Sequence, residues 1–342
     1  FGSSRDRARR AACVDRAAAM ERVKGLACWP PGEEVRVRHV KDVREELQMG
    51  EGRTNHNFIV DSGGLRAFVR LGADLPFFGV SRAREQAAAR AAHAAGVAPK
   101  VLHTEPPDIL VVDFVPGRAL AEADMHEAAA SGADSPLLAQ VTDVVRRLHA
   151  CPVPEELLAF QEEAGPSGWG GPHLAKWLRY AEAEGYSRLP FLDGLRDLIA
   201  QLEEAAGPTG PPMFCHFDLL ADNFVLQQGA GVLLVDFEYT APGQPLMDLA
   251  VLAMGCDLSP GEARNLLSSY LGREAPEADV RRFRALLVLA AVRETFWGVT
   301  AELSGTSSLS PEEARDYADM NFRKFQALRA EFEARAGTAA PC

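Results

Sequence analysis

Two hydrophobic periods divide the chain. Up to residue 115 short strand-like apolar runs are mixed with helical stretches, and beyond residue 120 helical spacing of three or four residues prevails. Val35-Arg36-Val37-Arg38 alternates apolar with charged, as a half-buried strand does. Phe58-Ile59-Val60 and Ala67-Phe68-Val69-Arg70-Leu71 flank the turn residues Asp61-Ser62-Gly63-Gly64 and predict a hairpin. Ser81 to Gly96 predicts a helix, with Ser81 as its cap and Gly96 as its stop. Val97 to Leu102 and Ile109 to Val115 predict two more strands, the second broken by Pro116-Gly117.

From Leu120 to Ala206 the spacing is helical, interrupted at 131–135, 152–154 and 165–172. Gly207 to Pro212 leads into a different stretch, Phe214 to Asn223, followed by the apolar run Gly231-Val232-Leu233-Leu234-Val235. Ala241 to Pro245 reads as a turn, and Met247-Asp248-Leu249-Ala250 opens a helix. Helical spacing continues through 261–271, 277–303 and 311–336. At the other end, Arg5 to Lys24 is rich in Ala and Arg and is broken off by Trp29-Pro30-Pro31-Gly32. That composition resembles an organelle transit segment, but Asp6, Asp15 and Glu21 favour an amphipathic surface helix. The sequence starts at Phe1 without an initiator Met, as a fragment or a processed chain would.

Short strands set among helices argue against a parallel, doubly wound sheet. No G-x-G-x-x-G follows a first strand and no G-x-x-x-x-G-K-[ST] occurs, so dinucleotide-binding and P-loop readings fall away. The expected class is α+β: a small N-terminal lobe with a mixed sheet over 1–115, and a larger, mostly helical C-terminal lobe over 116–342.

The net charge of −12 argues against a nucleic-acid partner, since phosphate binding wants a basic stripe. It is compatible with a small cationic substrate. Six cysteines are scattered without a CxxC pair, which reads as reduced thiols in a cytoplasmic protein rather than disulfides or zinc ligands. The longest apolar runs, such as Leu286 to Val292, are too short for a membrane span.

The chemistry concentrates in His216-Phe217-Asp218, with Asn223 five residues after the Asp, and in Asp236-Phe237-Glu238-Tyr239 at the end of the apolar run. One carboxylate, one carboxamide and a second carboxylate thus sit at the ends of adjacent short strands. Phosphoryl transfer on a kinase scaffold needs this set: a base for the acceptor hydroxyl, and an amide plus an acid for magnesium. Each half alone is common by chance, because apolar strands often end in an acidic turn; the two in this order are not. Upstream, the loop Gly52-Arg53-Thr54-Asn55 and the cation Arg70 could cover and pair phosphates, or could be a surface turn and a solvated Arg. Glu85 in the first turn of its helix could hold Arg70, or simply favour the helix N-terminus. A hinge is expected at 113–117, where a nucleotide base would bond backbone near Asp113 and Val115.

These stretches resemble the choline/ethanolamine kinase family, within the aminoglycoside-phosphotransferase-like group of the protein-kinase fold. The matches run in order from Gly52-Arg53-Thr54-Asn55-His56-Asn57 through Phe68-Val69-Arg70, Arg82-Ala83-Arg84-Glu85, Gly96-Val97-Ala98-Pro99 and Phe114-Val115-Pro116-Gly117. They continue with His216-Phe217-Asp218, Asn223, Asp236-Phe237-Glu238-Tyr239, Asp248-Leu249-Ala250, Phe296-Trp297-Gly298 and Tyr317-Ala318. The resemblance implies a bilobal protein-kinase-like fold and transfer of the ATP γ-phosphoryl group to an amino alcohol such as choline or ethanolamine. It implies Asp218 as base, Asn223 and Asp236 as magnesium ligands, and Gly52, Thr54, Asn55, Arg70 and Glu85 at the nucleotide. His216 and Asp248 would support the loop. Glu238, Tyr239, Glu294 and Trp297 would meet the alcohol, where aromatic faces and carboxylates suit a cation. Trp169 and Trp177 are further aromatic candidates, with core packing the competing reading.

Two departures bear on the acceptor. Thr300 stands where the family commonly has a second Trp, and the helix after Asp248 lacks the family's aromatics. Related kinases acting on thiamine, an aminoglycoside or a sugar therefore stay open, as does a nucleotide-binding pseudoenzyme.

Overall fold

The computed structural model describes residues 16–47, 55–158, 171–189, 194–207, 210–307 and 309–336. Gly52, Thr54, Trp169 and the first part of the Ala/Arg-rich segment lie outside the described residues.

The N-terminal lobe is built on a five-stranded antiparallel sheet. Its strands are β1 (Arg36–His39), β2 (His56–Ser62), β3 (Leu65–Leu71), β4 (Val101–Glu105) and β5 (Ile109–Asp113), in the order β1-β2-β3-β5-β4. Gly63 and Gly64 make the β2–β3 turn with φ of 55° and 80°, which residues with a Cβ adopt only under strain. Alternation then sorts the side chains. Ala67, Val69 and Leu71 pack with Phe58, Val60, Ile109 and Val111 against Ala19 and Val23 of α1 (Arg16–Lys24). Phe68 and Arg70 fall on the opposite face, towards α3 (Arg82–Ala94) and the interior cleft. Ser81 caps α3, accepting from the Arg84 N–H, and Gly96 follows the helix with φ 69°.

Three elements depart from the sequence expectation. α2 (Val40–Leu47) was not anticipated, although Val40 and Val43 recur at helical spacing and pack on Ile59. Gly117 starts a strand, β6 (Gly117–Ala119), instead of ending one. It is glycine because a Cβ there would lie 2.4 Å from the Leu226 carbonyl oxygen. The stretch expected as a turn contains β10 (Ala241–Gly243), which pairs antiparallel with β7 (Met213–Cys215). A two-stranded pair has only edges, so Pro242 costs no ladder bond on its outer side.

β6 pairs with β8 (Phe224–Gln227), and β8 with β9 (Gly231–Leu234), making a small sheet at the floor of the cleft. Around it lie α4 (Glu122–Ser131), α5 (Pro136–His149), α6 (Glu155–Leu158), α7 (Gly171–Ala183) and α8 (Leu195–Ala206). α9 (Pro245–Gly255), α10 (Pro260–Leu271), α11 (Glu277–Ser304) and α12 (Pro311–Ala336) follow. From Ala285 to Ala301 every residue of α11 is buried. A helix buried on all sides belongs in the middle of a core, and α11 is the axis of the C-terminal lobe. Among the described residues no helix is long and apolar enough to cross a membrane, and Cys28, Cys151, Cys215 and Cys256 are free thiols.

Candidate active site

A cavity of about 200 Å³ lies between the lobes. Its lining runs from the hinge residues Asp113, Phe114 and Val115, past Arg70, Asp218, Asn223 and Asp236, to Tyr239, Glu294 and Trp297.

Asp248, in the first turn of α9, holds the loop that carries Asp218. Its carboxylate accepts the N–H groups of His216 at 2.7 Å and Phe217 at 2.6 Å, and His149 Nε2 at 2.9 Å. Phe217 can then keep φ at 59°, a left-handed conformation that costs a bulky residue about 1–3 kcal/mol. His216 Nε2 donates to the Val235 carbonyl at 2.9 Å, which leaves Nδ1 to accept the Asp218 N–H at 3.3 Å. Burial holds the His216 pKa below its usual value, as that tautomer requires. His149, Cys215 and Asp248 also cluster as a metal site might. The donors are committed elsewhere, however: His149 Nδ1 meets the Tyr270 hydroxyl at 2.9 Å, and burial pushes the Cys215 thiol well up. The cluster is a hydrogen-bonded brace.

Asn223 Nδ2 donates to the Asp218 carbonyl at 2.8 Å and to its Oδ2 at 3.2 Å. With the nitrogen so engaged, Oδ1 is the atom left to the cleft. The Val235 N–H donates to the Asn223 carbonyl at 3.0 Å, fixing the strand end that carries Asp236 beside the loop. Asp236 has φ 67° and accepts Arg70 Nη1 at 2.8 Å. Two hard oxygen donors side by side, one carboxylate and one amide, fit magnesium in their chemistry. Arg70 Nη1 also donates to Glu85 Oε1, in a buried ion pair. Burial works against the Arg70 charge, but Asp236, Glu85 and Glu238 outweigh it and hold its pKa above normal. The Asp218 carboxyl is pushed well above the usual carboxylate range, first by burial and then by Asp236, Glu294 and Glu238, with Arg293 opposing.

At the far end Trp297 Nε1 donates to the Tyr239 hydroxyl at 2.9 Å, and the Tyr317 hydroxyl donates to Glu294 Oε2 at 2.5 Å. Trp297 and Tyr317 meet edge to face at 5.4 Å, and Arg293 lies 5.4 Å from the Tyr239 ring centre. Three aromatic rings and a buried carboxylate thus converge near Asp218.

Residues 45–286 match the model of the phosphotransferase enzyme family. The chain belongs to that family. No curated protein sequence matches it. Among solved structures, a choline/ethanolamine kinase family protein from Mesorhizobium loti superposes with a TM-score of 0.64 at 24% identity, covering 91% of this chain and 94% of that one. An ethanolamine kinase from Plasmodium vivax gives 0.66 at 17% identity, over 90% and 85%. A spectinomycin phosphotransferase in complex with ADP and spectinomycin gives 0.57 at 13% identity, over 92% and 99%. At these identities the likeness shows the kinase-like fold.

In this phosphotransferase the cleft gathers Arg70, Glu85, Asp113, Val115, Asp218, Asn223, Asp236, Glu238, Tyr239, Glu294 and Trp297. Asn55 donates to Glu238 Oε2 at 3.1 Å, and Glu238 also accepts Arg82 Nη1 at 2.9 Å, so its carboxylate is turned towards the N-terminal lobe. Trp177 packs in the core and donates its indole N–H to the Phe77 carbonyl at 2.9 Å. Thr300 is buried in α11 away from the cleft lining. Asn57, Arg293 and Tyr317 line the cleft without having been assigned a role from sequence, and Arg82 and Arg84 reach Glu238. Arg82 and Arg84 had a signal in the doubled cation just before Glu85, and Asn57 sits opposite Arg70 in the hairpin register. Tyr317 had a signal only as part of the matching Tyr317-Ala318, and Arg293 had none, because packing of α11 and α12 brings them to Tyr239 and Glu294.

Proposed function

We propose that this phosphotransferase is an ATP-dependent small-molecule kinase whose acceptor is the hydroxyl of an amino alcohol such as choline or ethanolamine, with lobes of 1–115 and 116–342. The observation that carries the reading is Asn223 pinned to Asp218 next to Asp236, with Arg70 on the same acid. Asp218 orients the acceptor hydroxyl and takes its proton. Its raised pKa makes it a stronger base than a surface aspartate. Arg70, held by Glu85, faces the transferring phosphates, and the hinge at Asp113 to Val115 offers backbone to the nucleotide base. Asn223 and Asp236 would hold magnesium, which when bound supplies charge neutralisation at the phosphates. Loose phosphoryl transfer asks mainly for this positioning and charge balance.

The acceptor end supports a cation. Tyr239 and Trp297 line that end of the cleft, and Glu294 adds a buried carboxylate. Magnesium-dependent ATP turnover on a panel of amino alcohols, thiamine, aminoglycosides and sugars tests the reading. Turnover on an amino alcohol supports it. Turnover confined to another class moves the acceptor, and nucleotide binding without turnover on any compound points to a pseudoenzyme.

A further inference from the structure

Arg82 opens α3 in the N-terminal lobe, and Glu238 lies two residues beyond Asp236 in the C-terminal lobe. Their side chains, 2% and 4% exposed, meet at 2.9 Å across the gap. The same Arg82 nitrogen donates to Glu85 Oε2 at 2.7 Å. Glu85 takes Arg70 Nη1 on its other oxygen, and that nitrogen reaches Asp236 Oδ1 at 2.8 Å. The circuit is closed: Asp236 and Glu238 are tied to Arg70 and Arg82, and Glu85 joins the two arginines. Arg84 Nη2 adds a bond to the Glu238 carbonyl at 3.1 Å, and Arg82 Nε is anchored on the Ala73 carbonyl at 3.0 Å.

The charges explain why both arginines are needed. Three carboxylates, Glu85, Asp236 and Glu238, share two guanidinium groups, Arg70 and Arg82, in a buried setting where an unpaired charge is costly. Glu238 Oε2 already lies 3.9 Å from Arg70 Nη1. Without Arg82, Glu238 and Glu85 would both compete for Arg70 and draw it away from Asp236. Asp236 also has φ 67°, so its segment needs holding from outside. The resemblance had implied an acceptor contact for Glu238, but its carboxylate is engaged with Asn55 and Arg82 of the other lobe.

We propose that Arg82 and Glu238 are positioning residues: an inter-lobe strut that keeps Arg70 set against Asp236 for the nucleotide phosphates, and so serves the nucleotide and not the acceptor. The inference rests on the kinase reading of the same cleft.

The test uses the full chain with Arg82→Gln, Glu238→Gln, the double variant and Arg82→Lys, each checked for folding by circular dichroism. Affinity for magnesium-ATP is measured by calorimetry without acceptor, and KM is measured for both substrates. Each Gln variant is expected to weaken nucleotide binding about tenfold or more and to lower kcat, with the acceptor KM unchanged. The double variant should lose no more than the worse single one, because the strut acts as a unit. Lys at 82 should restore part of the loss. If a Gln variant does not fold, the pair is replaced by Met at both positions, a change that buried ion pairs often tolerate; nucleotide affinity must still fall. Unchanged nucleotide affinity in folded variants, additive losses, or a rise confined to the acceptor KM would overturn the strut. A wild-type chain that bound no magnesium-ATP would overturn the kinase reading itself, and the strut with it.

Discussion

Ionising Asp218 carries a cost, and that cost has measurable consequences. Burial and three neighbouring carboxylates raise its pKa well above normal, so the folded protein binds a proton there more readily than the unfolded chain does. Stability therefore falls as pH rises from the unfolded pKa through the folded one. Activity runs the other way, because the base must be ionised. The acid limb of kcat/KM should accordingly lie above the ordinary aspartate range. Asp218→Asn should lower kcat by about 10²–10⁴-fold and leave nucleotide affinity nearly unchanged. At neutral pH it should also raise the melting temperature by on the order of 2 °C, which differential scanning fluorimetry can read. A variant that lost activity and melted lower would contradict the assignment. That Asp218, Asn223 and Asp236 come together was legible in the sequence because one loop and one strand end carry them, at short spacings. Arg82 stood out only as a cation near Glu85, and its tie to Glu238 was not legible because that contact spans 156 residues.

At the scale of elements, two contacts decide whether the site assembles. Asp248 satisfies two backbone N–H groups of a loop that holds Phe217 at φ 59°. Asp248→Asn replaces one acceptor oxygen with a donor facing an N–H and should cost about 2 kcal/mol in denaturant unfolding, with kcat falling as the loop relaxes. The resemblance had implied Asp248 as a support of this loop, and the fold shows the means, a carboxylate reaching back to two of the loop's N–H groups. The second contact is between α11 and α12. A Cβ on Gly298 would sit 2.8 Å from the Ala318 backbone nitrogen. That glycine lets α12 approach closely enough for Tyr317 to donate to Glu294 and to meet Trp297. Gly298→Ala should destabilise by about 1–3 kcal/mol and raise the acceptor KM while sparing the KM for ATP. Equal changes in both would place α12 outside the acceptor end. Short strands were harder to read than helices. β6 and β10 are three residues each, and the Gly and Pro that mark turns elsewhere serve close backbone approach and edge pairing here.

At the scale of the molecule, the lobes are joined by the charged circuit around Arg82 and Glu238, by the Leu234 N–H donating to the Val97 carbonyl at 2.8 Å, and by an apolar seam in which Phe78 packs on Trp177 and Trp297. A nucleotide between the lobes adds contacts only the folded state can make. At a hundredfold excess over Kd, magnesium-ATP should stabilise the chain by about 2.7 kcal/mol, and chelating the metal should remove much of the shift. The lobed α+β plan was visible as a change of hydrophobic period near residue 115, while the acceptor was not, since it depends on how α11 and α12 pack around Tyr239, Glu294 and Trp297. The central claim is phosphoryl transfer to a small alcohol with Asp218 as base. Its most direct test is ATP turnover with magnesium across the alcohol panel, run for the wild type and Asp218→Asn side by side. The account predicts turnover with at least one amino alcohol that is lost on chelation and falls by orders of magnitude in the variant. Nucleotide binding with no turnover on any compound, or turnover that Asp218→Asn leaves intact, would contradict it.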